Sequence, residues 1–387
     1  MSEPIWVTGL GVVCTAGVGA DALGAALWNP APALTAPKAR EGLSVPPALV
    51  FADEFPAEDH VDRRLVRKAS GLSRLALAAC AQAYAEAGLA EDAPERESAG
   101  IAIGTSLGSA DYYLRFYEAL LRRGPKGANA VLFTEGVFNA PSGHASKLCG
   151  IRGAGHTLVG GEEAGLSAAL LACDRIALGV FPAALCGGAE AYCDLALASL
   201  YHEGRVGDSL SGLDGDQPGP FAEGAAVLWL ERESVARARG ARARAQILGG
   251  ARARGVRGEA AVARDAVLAA CEQSGVSLSE IDLFVAGGSG GRRTASEAVA
   301  VEELKSRGLR ATIAGPGSHL GEGLAFGSAA LLVSTVLALE AQRVPVTLGG
   351  WSAAGGGHDS VGSLERACVL ATSDEGAAVA VILARAT

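Results

Sequence analysis

An internal repeat constrains this sequence more than any other feature. The pentapeptide SAALL occurs at residues 167–171 and again at 328–332, and an Ala-Leu pair follows each copy at the same distance, at 177–178 and 338–339. The first copy belongs to a long apolar stretch that begins just after LVGG and two glutamates at 162–163. A strand, a tight turn and a buried helix that occur twice predict a fold made of two similar halves.

The turn before the first copy is predicted to be an elbow that joins a strand to a helix. Backbone N–H groups at a helix N-terminus, together with the helix dipole, favour an anion or a nucleophile of low pKa. Glu162 stands in this turn. The elbow is therefore the first place in the chain where chemistry is expected.

Predicted strands and helices alternate along the chain. Apolar β-branched runs predict strands, and apolar residues at helical spacing predict helices. The strands are expected at 5–13, 99–104, 181–188, 225–231, 245–249, 282–286 and 311–314, and the helices at 21–28, 72–87, 259–274 and 295–306. This alternation, with the repeat, predicts an α/β fold in αβαβα layers with two pseudo-symmetric halves, 1–235 and 236–387. Residues 29–60, rich in Pro and Ala, are predicted to be a surface excursion.

Charge and cysteine content exclude several classes of function. A net charge of −9 gives no basic footprint for nucleic acid. The local arginine cluster at 237–257 favours a solvated surface over a docking site for an acidic carrier protein. Eight cysteines and six histidines show no metal-ligand spacing, so neither a metal nor a cofactor is expected. With no signal segment and no apolar run of membrane-spanning length, we expect a soluble, cytoplasmic protein that meets no membrane.

A predicted helix at 111–123 carries an unusual share of aromatic residues. Four of the fifteen Phe and Tyr residues of the chain lie on it, namely Tyr112, Tyr113, Phe116 and Tyr117. Such a helix is typical of a core or of an interface. The sequence leaves these two alternatives open.

Four further motifs resemble one family. They are IWVTGLGVV at 5–13, GVFNAPSGHASKLCGIRGAG at 136–155, CGGAEAY at 186–192 and FAEGAAVLWLER at 221–232. Together with the elbow they resemble the β-ketoacyl-ACP synthases of the thiolase fold over nearly the whole chain. The resemblance implies a thiolase-like αβαβα fold and a nucleophilic cysteine on the elbow, in a motif such as TACASG. It also implies that His144, which matches a family histidine, is structural.

The resemblance implies that the catalytic positions of this family have changed here. Condensation in the family needs a cysteine, two histidines and oxyanion donors. Glu162 stands at the cysteine position, and Gly287, in AGGSGGRRT, stands at the first histidine position. The second histidine position is Glu322 in the register that agrees with the repeat, or His319 in an alternative register. No catalytic residue is therefore expected.

Two further observations agree with a loss of condensation chemistry. Cys149 and Cys173 are too far from the turn in sequence to replace a thiol at its apex. The C-terminal loop that supplies an oxyanion N–H in the family is TSDEGA at 372–377, and its acids Asp374 and Glu375 would oppose a developing oxyanion.

The resemblance points to the chain-length factor or ketosynthase-β branch, whose members lack the cysteine and pair with an active ketosynthase. It implies a heterodimer with a ketosynthase subunit that keeps its Cys-His-His set, no activity of the chain alone, and an acyl carrier protein as a further partner. Residues 131–138 are expected at the interface, with Phe116, Phe133, Thr134 and Phe138 at the interface or acyl tunnel. The alternatives are a malonyl-ACP decarboxylase, a hydrolase that uses Glu162 as its base, and a homodimeric scaffold.

Overall fold

Eleven strands form one sheet in the part of the chain that the computed structural model describes, residues 3–30, 33–89, 93–210, 217–348 and 362–386. The strands are β1 Ile5–Cys14, β2 Gly17–Val18, β3 Gly100–Thr105, β4 Gly155–Val159, β5 Ala183–Glu190, β6 Gly224–Arg232, β7 Ala245–Arg254, β8 Leu283–Val285, β9 Thr312–Ala314, β10 Arg366–Thr372 and β11 Ala377–Arg385. The helices are α1 Ala20–Trp28, α2 Arg63–Val66, α3 Gly71–Glu86, α4 Pro94–Ser98, α5 Ala110–Arg123, α6 Ala130–Gly136, α7 Ala140–Cys149, α8 Ala164–Ala177, α9 Asp194–His202, α10 Glu233–Ala238, α11 Ala260–Ser274, α12 Gly291–Ser306, α13 Gly317–Leu320 and α14 Leu324–Ala341. Short 3-10 helices cover Ala57–Asp59, Gly124–Gly127 and Leu278–Glu280.

The order of the strands shows the duplication that the repeat predicts. The first half is ordered β4-β3-β5-β6-β1 and the second half β9-β8-β10-β11-β7. In both halves three strands are parallel and the last two antiparallel, and the helix that carries SAALL connects the outermost strand to the third one. The halves join where β1 pairs antiparallel with β7, at Ile5 with Ile247 and Val7 with Ala245. The predicted two-fold repetition is confirmed.

Alternating side chains of the strands face three large hydrophobic cores and so define the layers. Along β6, Ala226, Leu228 and Leu230 face a middle core, whereas Val227 and Trp229 face an outer core under α3. Because successive side chains of a strand point to opposite faces, each half of the sheet separates two layers of helix.

The second half repeats this arrangement. Along β11, Val379 and Val381 face the middle core, and Ala380 and Ile382 face an outer core with α11 and α12. Helices α8 and α14 fill the middle core. The order is therefore helix, sheet, helix, sheet, helix, which is the predicted αβαβα layering.

The two SAALL helices pack closely near their N-terminal turns. A Cβ atom at Gly165 of α8 would lie 2.0 Å from the carbonyl oxygen of Ala325 in α14. The Leu166 N–H donates to Ser328 Oγ at 3.2 Å, and Ser328 opens the second SAALL copy. α14 is long and apolar enough to span a membrane, but 83% of it is buried inside the protein, as expected of a core helix.

Some element boundaries differ from the sequence expectation. The apolar pattern predicts that β7 ends at residue 249, but the strand continues to Arg254, because pairing with β11 carries it through the polar ARAR segment. Helix α12 begins at Gly291 rather than 295. The proposed division at 235/236 falls in α10 and stays a prediction, since β1 and β7 pair across it and both halves share the middle core.

Glycine is required where α8 meets α14, which gives a test of the packing. We predict that Gly165→Ala lowers the free energy of unfolding by about 3 kcal/mol, because the added methyl overlaps a backbone carbonyl. Gly327→Ala, also in a SAALL helix, would meet no atom within 4 Å. It should stabilise the protein by up to about 1 kcal/mol through helix propensity. Urea unfolding of both variants measures the difference, and equal midpoints would contradict this account of the interface.

Candidate functional site

Glu162 lies at the apex of the predicted elbow, between β4 and α8. The turn packs closely against two other segments: a Cβ atom at Gly161 would lie 2.7 Å from Cβ of Ser373, and Ser106 Oγ donates to the Gly161 carbonyl at 2.9 Å. The Glu162 side chain is buried. The sequence therefore places a carboxylate, rather than a thiol, at the N-terminal end of the first central helix.

Glu322 occupies the corresponding position before the second central helix. Its Oε1 accepts the Leu324 N–H at 2.9 Å, and its Oε2 accepts Ser289 Oγ at 2.7 Å. Leu324 has φ +48°, a left-handed conformation that is rare for a residue with a side chain. A carboxylate at this helix end is favoured by the free N–H groups and by the helix dipole.

Two half-buried arginines connect these glutamates. Arg205, in the loop after α9, donates from Nη2 to Glu162 Oε1 at 2.8 Å, and its Nε lies 3.6 Å from Asp374 Oδ2. Arg293, in the first turn of α12, donates from Nη2 to Glu322 Oε2, and its Nη1 lies 3.7 Å from Glu162 Oε1. We call the series Asp374, Arg205, Glu162, Arg293 and Glu322 the arginine–carboxylate chain.

The charges in the arginine–carboxylate chain fix the protonation state of Glu162. Burial raises the pKa of Glu162, but the charges of Arg293 and Arg205 and the hydrogen bond from Arg205 outweigh it and hold the pKa below its ordinary value. Burial lowers the pKa of Arg293, and the carboxylates of Glu322, Glu162 and Glu297 more than offset this. Glu162 is thus an ionised acceptor at neutral pH, with Oε1 bound by Arg205 and Oε2 accepting the Asp374 N–H at 3.1 Å.

A very small cavity brings the three predicted degenerate positions together. Glu162, Gly287 and Glu322 all line it, beside Arg293, and its volume is about 30 Å³. Such a volume holds one or two waters but no acyl group. Among the described residues that line it there is neither a cysteine nor a histidine. Their role as altered catalytic positions stays a prediction.

The other sulfur and imidazole groups named above lie elsewhere. Cys149 and Cys173 are buried away from this cavity, and burial raises the pKa of each thiol to about 12. His144 Nε2 lies 2.5 Å from Glu135 Oε1. His319, the alternative second histidine, lines a different cavity beside α1, whereas Glu322 faces Glu162.

The acidic C-terminal loop contributes more than the sequence indicates. The backbone N–H of Asp374 points to Glu162, so the loop still directs a donor to the elbow. The Asp374 carboxylate lies 3.6 Å from both Arg205 and Arg257, which balance its charge. The sequence analysis missed Arg205 and Arg293, and the only available signal was that two buried glutamates require cations nearby.

The predicted interface residues lie on the surface, on and next to α5 and α6. The rings of Phe116 and Phe133 are 5.6 Å apart between centroids, and Phe133 is 58% and Phe138 44% exposed. Thr134 is also exposed, with Oγ1 donating to the Ala130 carbonyl at 2.9 Å. All fourteen residues of α5 are exposed or half-buried, so its aromatic residues are not core residues.

A family model matches more than half of the chain. The model is described as the N-terminal domain of β-ketoacyl synthase, and it matches residues 2–236. The chain belongs to the β-ketoacyl synthase family. The elbow and the motifs at 5–13, 186–192 and 221–232 all fall within the matched part of this ketosynthase-like chain.

Two curated relatives and two solved structures illustrate the similarity. The β subunit of the tetracenomycin polyketide synthase ketoacyl synthase of Streptomyces glaucescens is 27% identical over 378 residues, which cover 92% of this chain and 91% of that protein. The 3-oxoacyl-acyl-carrier-protein synthase 2 of Rhizobium meliloti is 28% identical over 316 residues, covering 76% and 74%. The ishigamide ketosynthase/chain length factor (TM-score 0.88, 22% identity) and a β-ketoacyl synthase from Burkholderia phymatum (0.87, 23%) share the fold, each with full coverage of both chains.

The ion pairs of the arginine–carboxylate chain lead to a prediction about stability. Glu162→Gln keeps the shape but removes the charge that faces both arginines, and should cost about 3 kcal/mol of unfolding free energy at pH 7. The folded pKa of Glu162 lies below its ordinary 4.5. Its stabilisation is therefore present above that value and is lost as the pH falls through the folded pKa, so the difference between wild type and variant should shrink below pH 4.5.

Glu203→Gln is the matched control for this prediction. Glu203 also faces Arg205, at 3.8 Å, but its side chain is 53% exposed. Its replacement should change the unfolding free energy by less than about 0.5 kcal/mol. Urea unfolding between pH 4 and 7 tests both variants. Equal effects would show that Glu162 in the arginine–carboxylate chain contributes no more to the unfolding free energy than a surface ion pair.

Proposed function

We propose that this chain is a non-catalytic, chain-length-factor-like subunit that forms a heterodimer with an active ketosynthase in a type II polyketide synthase. The observation that carries the proposal is the state of the elbow: Glu162 is ionised and bound by Arg205 and the Asp374 N–H where the family has its nucleophile. A carboxylate held in this way cannot carry an acyl chain as a thioester. The relatives that are named as a ketoacyl synthase β subunit and as a ketosynthase/chain length factor support the same role.

Exposed apolar surface supports a protein partner. Tyr113, Tyr117, Leu121, Phe133 and Phe138 form what we call the aromatic patch, on and next to α5 and α6. Exposed apolar patches of this kind mark interaction sites. β4 lies at the edge of the sheet in the described chain, with its outer side unpaired. An aromatic surface and an open strand edge are features that association with a second subunit would cover.

The partner is proposed to be a ketosynthase with its Cys-His-His set, and the complex is proposed to receive an acyl carrier protein. A structure that shares this fold, with a TM-score of 0.78 and 19% identity, is described as a type II polyketide synthase acyl-carrier protein in complex with its ketosynthase bound to the hexaketide. The chemistry would belong to the partner, and this chain would help to shape the space for the growing product.

The geometry argues against the two enzymatic alternatives. A hydrolytic base needs a pKa near the working pH and a free oxygen that faces a water. The pKa of Glu162 is lowered instead, and both its oxygens accept hydrogen bonds. A decarboxylase would need side-chain donors at the two histidine positions, where Gly287 offers none and Glu322 is bound by Arg293.

We also propose that the protein acts in the cytoplasm. All eight cysteines are free and buried. Free thiols throughout a chain fit a reducing compartment.

The isolated protein is predicted to be inactive in both half-reactions. Incubation with acyl-ACP should leave its intact mass unchanged, and incubation with malonyl-ACP should release no more carbon dioxide than a Glu162→Ala variant. Glu162→Cys should not restore condensation, because Arg205, Arg293 and Gly287 remain. A cysteine-bearing ketosynthase serves as the positive control, and an acylated wild-type chain would count decisively against the proposal.

The aromatic patch is predicted to determine assembly or product length. Phe133→Ala or Phe138→Ala should lengthen the polyketide if the ring closes a tunnel, or weaken the heterodimer if it mainly packs. Co-expression with the candidate ketosynthase, gel filtration and mass spectrometry of products separate these results. Leu178→Ala, which truncates an exposed apolar residue at the far end of α8, is the control and should change neither. The chain-length role is wrong if the two proteins elute separately and the ketosynthase alone makes full-length product.

A further inference from the structure

A second and much larger cavity lies beside α1, outside the site described above. Its volume is about 520 Å³, within the range of small-molecule sites, and we call it the α1 cavity. Ala22, Ala26 and Trp28 of α1 form one wall, and Leu49 and Phe326 lie among the other lining residues. Phe326 and Leu320 also line the small cavity at Glu162, so the two cavities are neighbours.

Apolar residues form most of the lining of the α1 cavity, and its described residues supply no cation to balance an anion. The described residues that line it include neither lysine nor arginine. Its one carboxylate, Glu223, is already engaged: Oε1 accepts the Phe51 N–H at 2.7 Å and Oε2 accepts the Tyr192 N–H at 2.9 Å. Charged ligands would lose hydration here without gaining an oppositely charged partner, so the lining favours an uncharged molecule.

His319 contributes a buried polar ring to the wall of this cavity. Its side chain is only 3% exposed and lines the cavity, and neither ring nitrogen has a hydrogen-bond partner in the described part of the chain. Burial lowers the pKa of His319 to about 4, so the ring is neutral at pH 7 and offers one N–H donor and one acceptor nitrogen. Because buried polar groups are almost always hydrogen-bonded, an unpaired ring at a cavity wall indicates a site that a polar ligand atom can occupy.

We propose that the α1 cavity binds an uncharged amphiphile with an apolar body and one hydroxyl group, and that this hydroxyl forms a hydrogen bond with His319. A hydroxyl can either donate or accept, so it can pair with either nitrogen of the neutral ring. The alanines of α1 leave the volume that the apolar body fills. The proposal does not rest on the arginine–carboxylate chain or on the proposed heterodimer.

Fluorescence titration of the full chain tests the cavity with pyrene, a hydrocarbon probe. Wild type should bind one pyrene saturably, and 1-decanol should displace it. Ala26→Phe fills the cavity and should weaken pyrene binding at least about tenfold, whereas Ala238→Phe, which adds the same ring at an exposed position of α10, should leave it unchanged. If circular dichroism shows that Ala26→Phe is unfolded, Ala22→Leu serves the same purpose. Absence of saturable binding, or equal binding by a folded filling variant and wild type, overturns the proposal.

The hydroxyl assignment has its own readout. His319→Leu should leave the affinity for pyrene within about twofold, but should weaken displacement by 1-decanol about fivefold to tenfold, the value of one hydrogen bond. Decanoate should displace pyrene at least about tenfold less well than 1-decanol, because its charge has no partner. Equal competition by decanol in wild type and His319→Leu, or decanoate as effective as decanol, overturns the assignment.

Discussion

The centre of this protein depends on ion pairs between arginines and the glutamates at the N-termini of two buried helices. Glu162 and Glu322 each lie just before a central helix, where the helix dipole favours a carboxylate. Carboxylates so deeply buried are costly unless cations and hydrogen bonds compensate them, and Arg205 and Arg293 provide this compensation. The ion pairs also connect a loop after α9, the start of α12 and the C-terminal loop at Asp374, so they join segments that are far apart in sequence.

The duplicated topology explains why these charges meet. Each half places one long helix between its outermost parallel strand and its third strand, and the two helices pack against each other in the middle layer. The contact at Gly165 and Ala325 brings their N-terminal turns together. In an active β-ketoacyl synthase, the nucleophile is expected on one turn and residues that assist catalysis are expected near the other. The same geometry here holds the arginine–carboxylate chain between the two turns.

The sequence by itself determined the two halves, the layers and the elbow. The SAALL repeat can be recognised in the sequence alone. β-branched runs and helical spacing of apolar residues indicate a buried strand or helix face, whichever element packs against that face. They were sufficient to predict β1, α3 and α11 within a few residues, and the family motifs named Glu162, Gly287 and Glu322, which the fold brings to one cavity.

Only the tertiary structure decided how those positions are used. Arg205 and Arg293 lie 43 residues after and 29 residues before the glutamates that they bind, and no spacing rule connects residues at such separations. The tertiary structure also directed Glu322 toward Glu162 and His319 toward a different cavity, because Leu320 and the turn at Gly321 lie between the two residues. It also showed that the aromatic residues of α5 lie at the surface, where the sequence had left a core and an interface as alternatives. Sequence patterns indicate which faces of regular strands and helices are buried, whereas the identity of the neighbour that pairs with a buried charge depends on how distant segments pack.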